Sequence, residues 1–259
     1  MKKRHLLPLA ALLLFPLGAV AQEAQEEAPT WWAVFTDHVP PSGVAKYEEA
    51  GAALAEMIKA NATPDLTYYT LSGSETGYLY AIPMTGLAQF MELNASWEAM
   101  MERAGREDFM TAMNSANAVV DHSSLTFYVQ RNDLSYAPES PRLTDEESKI
   151  RHYDWIYAFP GKEAAMEEIF HAWIDLYQSN GVDSGWTVYQ AVSGDDLPMY
   201  VVSTPAASVA DYFANGDRID EALGDADDAL WMKTLAVTRS FHHNNANFRP
   251  ELSLVPDEE

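Results

Sequence analysis

Apolar positions in this chain switch repeatedly between strand and helix spacing. Trp31–Val39 is a run of aromatic and β-branched residues cut off by Pro40-Pro41, and it predicts a strand. Ser42 is a candidate helix cap. From Val44 to Ala60, Tyr47, Ala50, Leu54, Met57 and Ile58 keep helical spacing, so one helix face is expected to pack. Leu66–Met84 reads as a strand, a polar turn around Ser72-Gly73 and a second strand. Leu87–Met101 predicts another helix, Asp108 is placed to cap a third through about Val120, and Ser124–Gln130 predicts a strand. The polar stretch Asn132–Ile150 follows.

The order then restarts. His152–Phe159 predicts a strand closed by Pro160-Gly161, and Lys162–Asn180 a helix with Gly181 just beyond its end. Thr187–Pro205 predicts a hairpin, Val209–Leu223 and Asp227–Val237 two helices, and Arg239–Asn247 a last, unusually polar strand. Tyr68, Ser72 and Gly73 align without a gap to Tyr189, Ser193 and Gly194, and His122 aligns to His243 at the same offset. Arg131–Pro138 (RNDLSYAP) answers Arg249–Pro256 (RPELSLVP). These matches predict a tandem duplication.

Each half reads as a ferredoxin-like β-α-β-β-α-β unit, which builds a four-stranded antiparallel sheet with helices on one face. The expected fold is therefore α+β: two antiparallel sheets facing each other as an intramolecular α/β barrel, each covering the other's bare face. The expected division is a signal peptide over 1–21, a flexible lead-in over 22–30, the first half over 31–138, a connector over 139–151 and the second half over 152–256. The unit order and the repeat resemble the dimeric α/β-barrel superfamily, which includes antibiotic-biosynthesis monooxygenases, NIPSNAP proteins and chlorite dismutases. The resemblance lies in topology across most of Trp31–Pro256. It implies a pocket on the sheet side that holds a small ligand, a haem or an oxidisable aromatic.

Composition narrows the partners. The net charge is −23, with 39 acids against 16 bases, so nucleic acid and anionic lipid are repelled. The first residues carry Lys2, Lys3 and Arg4, then the apolar run Leu6–Val20 and the small residues of Ala19-Val20-Ala21. That pattern predicts an export signal cleaved after Ala21, hence a periplasmic or secreted protein with no membrane contact once the signal is gone. The chain has no Cys, which excludes thiol nucleophiles, iron–sulfur clusters and Cys-based zinc sites. No G-x-S-x-G, H-E-x-x-H, Walker or dinucleotide motif occurs.

The expected function is the binding of a small apolar or aromatic molecule between the two sheets. Its expected contacts are the hairpin aromatics Tyr68, Tyr78, Tyr80, Trp186, Tyr189 and Tyr200. No cofactor or metal is expected. The alternatives are a cofactor-independent monooxygenase using groups such as Trp32, Tyr68, Trp155, Trp186 and Tyr189, a haem protein with His171, His122 or His243 as the axial ligand, and a structural or interaction module. His122 and His243, which precede equivalent strands, are the candidate acid–base groups. Arg131 and Arg249 are expected to tie down the tail of each half through salt bridges.

Overall fold

A computed structural model describes residues 30–73 and 77–255. The expected export signal and most of the lead-in lie outside the described residues. In chain order the elements are β1 (Trp31–His38), α1 (Val44–Asn61), β2 (Tyr69–Gly73), β3 (Gly77–Met84), α2 (Leu87–Ala104), α3 (Arg106–Asn117) and β4 (His122–Gln130). They continue as β5 (Ile150–Ala158), α4 (Glu163–Ser179), β6 (Thr187–Ala191), β7 (Met199–Ala206), α5 (Val209–Leu223), α6 (Asp225–Val237) and β8 (Thr238–Phe248). One-turn 3₁₀ segments, Asn132–Leu134 and Pro250–Leu252, follow β4 and β8.

Local chemistry explains several boundaries. Pro40-Pro41 ends β1 because proline cannot donate to the ladder. The Ser208 hydroxyl accepts from the Asp211 N–H and starts α5, and Asp225, Asp227 and Asp228 complement the positive end of α6. Two expected caps fail. Gly43, not Ser42, precedes α1, and Gly105, not Asp108, precedes α3.

The strands form one closed antiparallel barrel in the order β1-β3-β2-β8-β5-β7-β6-β4. This overturns the expectation of a tandem duplication built as two separate sheets face to face, and with it the reading of a ligand held between two sheets. The reason lies at the sheet edges. A four-stranded sheet leaves β2 or β4 with a row of unpaired backbone groups, which calls for a partner. β8 closes on β2 (Leu71 opposite Phe248, Gly73 opposite Ala246), and β6 closes on β4 (Tyr128 opposite Ala191, Gln130 opposite Tyr189). The seams make the two runs of elements one body.

The helices cover the outside of the barrel. Ala33, Ile82 and Met84 on the outer face of the strands pack with Leu93, Met100 and Phe109 from α2 and α3. Ile156, Val188 and Tyr200 pack with Met166 and Phe170 of α4. The main apolar core is thus a shell between barrel and helices. Two arginines latch it. Arg131 holds Asp133, Glu167 of α4 and Gln190 of β6, and Arg249 holds Glu251, Glu48 of α1 and Ser72 of β2. Among the described residues no helix is long and apolar enough to cross a membrane.

Candidate functional site

Strand parity builds the site. The successive antiparallel pairings make β1, β2, β5 and β6 run in one direction around the barrel. Alternate residues then point outward to the helices or inward to the lumen. The inward set encloses a cavity of about 1020 Å³. Its wall is aromatic: Trp32 of β1, Tyr69 of β2, Tyr128 of β4, Tyr153, Trp155 and Tyr157 of β5, Tyr189 of β6 and Phe248 of β8. Several rings touch. Trp32 lies 6.2 Å edge-on to Tyr189 and 6.1 Å from Tyr69, and Tyr153 lies 5.7 Å from Trp155.

Burial raises the pKa of four lumen phenols, Tyr128, Tyr153, Tyr157 and Tyr189. It pushes Tyr128 up to about 12, although the Thr126 hydroxyl and the Trp155 indole pull the other way. Burial also raises Tyr153 and Tyr189, with Arg151 partly opposing the rise in both. For Tyr157, burial and Asp196 raise the phenol while Arg239 lowers it. At neutral pH these four therefore present O–H groups rather than phenolates.

Charge is sparse inside. Arg151 projects from the start of β5 on the same face as Tyr153, Trp155 and Tyr157, with the exposed Lys149 at the rim beside it. Arg106, Arg131, Arg142, Arg218, Arg239 and Arg249 each hold a carboxylate, and Arg103 holds the Asn61 carbonyl oxygen. Arg151 makes no such ion pair among the described residues. At the opposite end, where β1 and β5 finish, lie His38, Asp195, Asp196 and His242. His242 is edge-on to Tyr157 at 5.6 Å, and its Nε2 is 3.2 Å from the Ser240 hydroxyl. His38 stacks on His122 at 4.2 Å.

Of the six expected contact residues, the structure places one in the lumen, Tyr189. The others pack outward under the helices. Tyr68 is buried against Trp97, and Tyr78 donates to Glu48 and stacks on Tyr47. Tyr80 shares a 2.7 Å hydrogen bond with Tyr47. Trp186 donates to the Leu134 carbonyl oxygen against Tyr177, and Tyr200 is fully buried against Phe170. His122 is exposed at the rim, bound to Asp121. His243 is exposed on the outer side of β8, 5.9 Å from His152. Trp32 and Trp155 do face the lumen. Sequence reading missed Arg151, Tyr128, Tyr153, Tyr157 and His242 as lining groups. The signal for part of this set was present: Arg151, Tyr153, Trp155 and Tyr157 alternate along one strand.

The described histidines do not fit a haem. Among the described residues no imidazole is buried on the lumen side. His38 is capped face-on by His122, His242 is exposed at the rim, His152 and His243 point outward, and His171 is exposed on α4. An axial ligand needs an imidazole held deep and oriented by a partner on its other nitrogen. The described residues also contain no group of three or more His, Cys, Asp or Glu able to hold a metal ion.

No family model matches the chain, and no curated protein matches it. Solved structures do share its architecture. An anthrone oxidase-like protein superposes with a TM-score of 0.57 at 13% identity, over 86% of this chain and 92% of that one. A candidate monooxygenase from Lactobacillus acidophilus gives 0.50 at 7% identity, over 88% and 100%. Chlorite dismutase from Candidatus Nitrospira defluvii gives 0.50 at 12% identity, over 86% and 92%. Identities this low show a common fold and nothing further: a single closed barrel with flanking helices.

Proposed function

We propose that this protein is a cofactor-independent oxygenase that oxidises a small, electron-rich aromatic molecule inside the barrel lumen. The observation that carries the reading is the aromatic wall itself, with neutral phenol donors facing a cavity of about 1020 Å³. Flat rings stack or meet edge-on against such walls. Buried O–H groups stabilise oxygen anions more strongly than the same groups in water. The shared architecture with proteins described as an anthrone oxidase-like protein and a candidate monooxygenase supports the same reading. It replaces simple binding between two sheets. A lumen of this size also argues against a purely structural module.

The chemistry balances without a further reductant. An activated ring CH₂, as in an anthrone, loses a proton to a base. The carbanion passes one electron to O₂, and the resulting radical pair combines to form a C–O bond. Proton return gives a hydroperoxide, which loses water to leave a carbonyl. The net change is CH₂ plus O₂ to C=O plus H₂O. His242, on the lumen side beside Tyr157, is the imidazole placed to take the first proton. The test is oxygen uptake by purified protein with an anthrone, in the presence of a chelator. Saturable uptake well above the uncatalysed rate is expected, lowered on the order of a hundredfold in His242→Gln. Uptake no faster than without protein would end this reading.

The basic and apolar leader over 1–21 supports an exported location. N-terminal sequencing of the mature protein tests it: a chain starting at Gln22 is expected, and one retaining the leader contradicts it.

A further inference from the structure

The partly buried cation of the lumen, Arg151, remains unaccounted for by this chemistry. The chain carries 39 acids, yet Arg151 makes no ion pair with a carboxylate among the described residues. Asp145 lines the same rim without pairing to it. Arg151 is partly buried, on the lumen face of β5. A guanidinium left half-desolvated and unpaired is costly unless something else meets it. Two neutral phenols lie within reach of its charge, Tyr153 on the same strand and Tyr189 across β7. Neither can neutralise it. Both can donate to whatever does.

We propose that Arg151, with the Tyr153 and Tyr189 hydroxyls, is the binding site for a carboxylate on the substrate, so that the lumen favours an aromatic that carries a carboxylate over its neutral counterpart. Arginine presents a planar fork that matches a carboxylate in two parallel hydrogen bonds. The phenols supply further donors to the outward lone pairs. Trp155, four residues along the same strand face, lies about 13 Å from Arg151 at the usual rise per residue. The intervening aromatic wall, with Trp32 and Tyr189 meeting edge-on, suits a fused ring system attached to that carboxylate. The strongly acidic protein repels anions at long range, so selection of an acid depends on local, short-ranged charge at this end of the lumen, chiefly the partly buried Arg151 with the exposed Lys149 beside it.

This inference rests on the lumen being the substrate site, but its test needs no turnover. Dissociation constants are measured by calorimetry under nitrogen for 2-naphthoate and for 2-naphthamide, its neutral counterpart. Wild type is expected to bind the acid about tenfold more tightly or better, the scale of a charge-assisted hydrogen bond. Arg151→Gln is expected to bind both equally and weakly, and Arg151→Lys to keep part of the preference. Tyr153→Phe is expected to weaken the acid alone. Equal binding of acid and amide by wild type overturns the proposal, as does a preference that survives in Arg151→Gln. If the Gln variant fails to fold, the wild-type ratio alone decides. A clear preference for the acid with no oxygen uptake on any aromatic would reject the oxygenase and leave the acid site standing.

Discussion

Tyr78 and Leu79 are neighbours on β3, yet one packs against Tyr47 of α1 and the other lines the lumen. That one-residue difference explains why most expected contact residues lie elsewhere. An aromatic in a strand can be recognised from sequence, but its face cannot when both faces are apolar. Here they are, because helices cover the outside and aromatic rings line the inside. Alternation therefore carries no polar side to set the parity. His152 shows the outer face at work. It is 2% exposed, stacks on Tyr212 at 3.8 Å, and places Nδ1 2.9 Å from Asn245 and Nε2 3.1 Å from Asp154. Burial lowers its pKa, but the bonds to Asp154 and Asn245 outweigh this and leave it raised. A raised folded pKa gives stability that is complete below the unfolded value of about 6.5 and lost as pH rises through the folded value. Thermal melts across pH 5 to 9 should therefore show a loss of Tm above neutrality that Asp154→Asn flattens. Identical pH profiles for the two proteins would dismiss this role for His152.

At the scale of elements, the chain was largely legible. The observed helices and strands begin and end within a few residues of the apolar pattern, because proline, glycine and polar runs punctuate it. β5 is the instructive miss. Its predicted start at His152 cut off Ile150 and Arg151, and so hid the cation of the candidate site. Helix starts were less legible than helix bodies, since of the six described α-helices only α5 carries a side-chain cap bond. Gly185 makes a similar point about backbone approach. A Cβ there would lie 2.5 Å from the Tyr136 carbonyl oxygen, where Trp186 and Tyr136 form a bridge. Gly185→Ala must push that backbone away, at a cost of about 1–3 kcal/mol. Urea unfolding should show it as a lower midpoint with an unchanged slope. The Arg249 latch predicts a smaller effect. Arg249→Ala releases Glu48 and Glu251, both partly exposed, and should cost on the order of 1 kcal/mol after solvent screening.

For the whole molecule, closure was the feature that local pattern could not show. Periodicity reports which residues form strands, and the repeated order suggested two sheets. It does not report that the edges of β2 and β4 find β8 and β6. Closing the barrel gathers the inward residues of the strands into one cavity. The same scale governs the charge. With a net charge of −23 the folded chain repels itself, and dissolved salt screens that repulsion. Raising sodium chloride from about 10 to about 200 mM should lift Tm by several degrees. A fall in Tm over that range would mean that the ion pairs outweigh the net repulsion.

The central claim is that chemistry takes place inside the barrel. Ala81 faces the lumen on β3, and Ala81→Trp fills space there without touching the outer helix layer. Oxygen uptake with an anthrone is compared between wild type and this variant, after circular dichroism shows both folded. Uptake by the wild type that is abolished or nearly abolished in the plugged barrel is the predicted result. Equal uptake by the two proteins would place any oxidation outside the lumen and contradict the account.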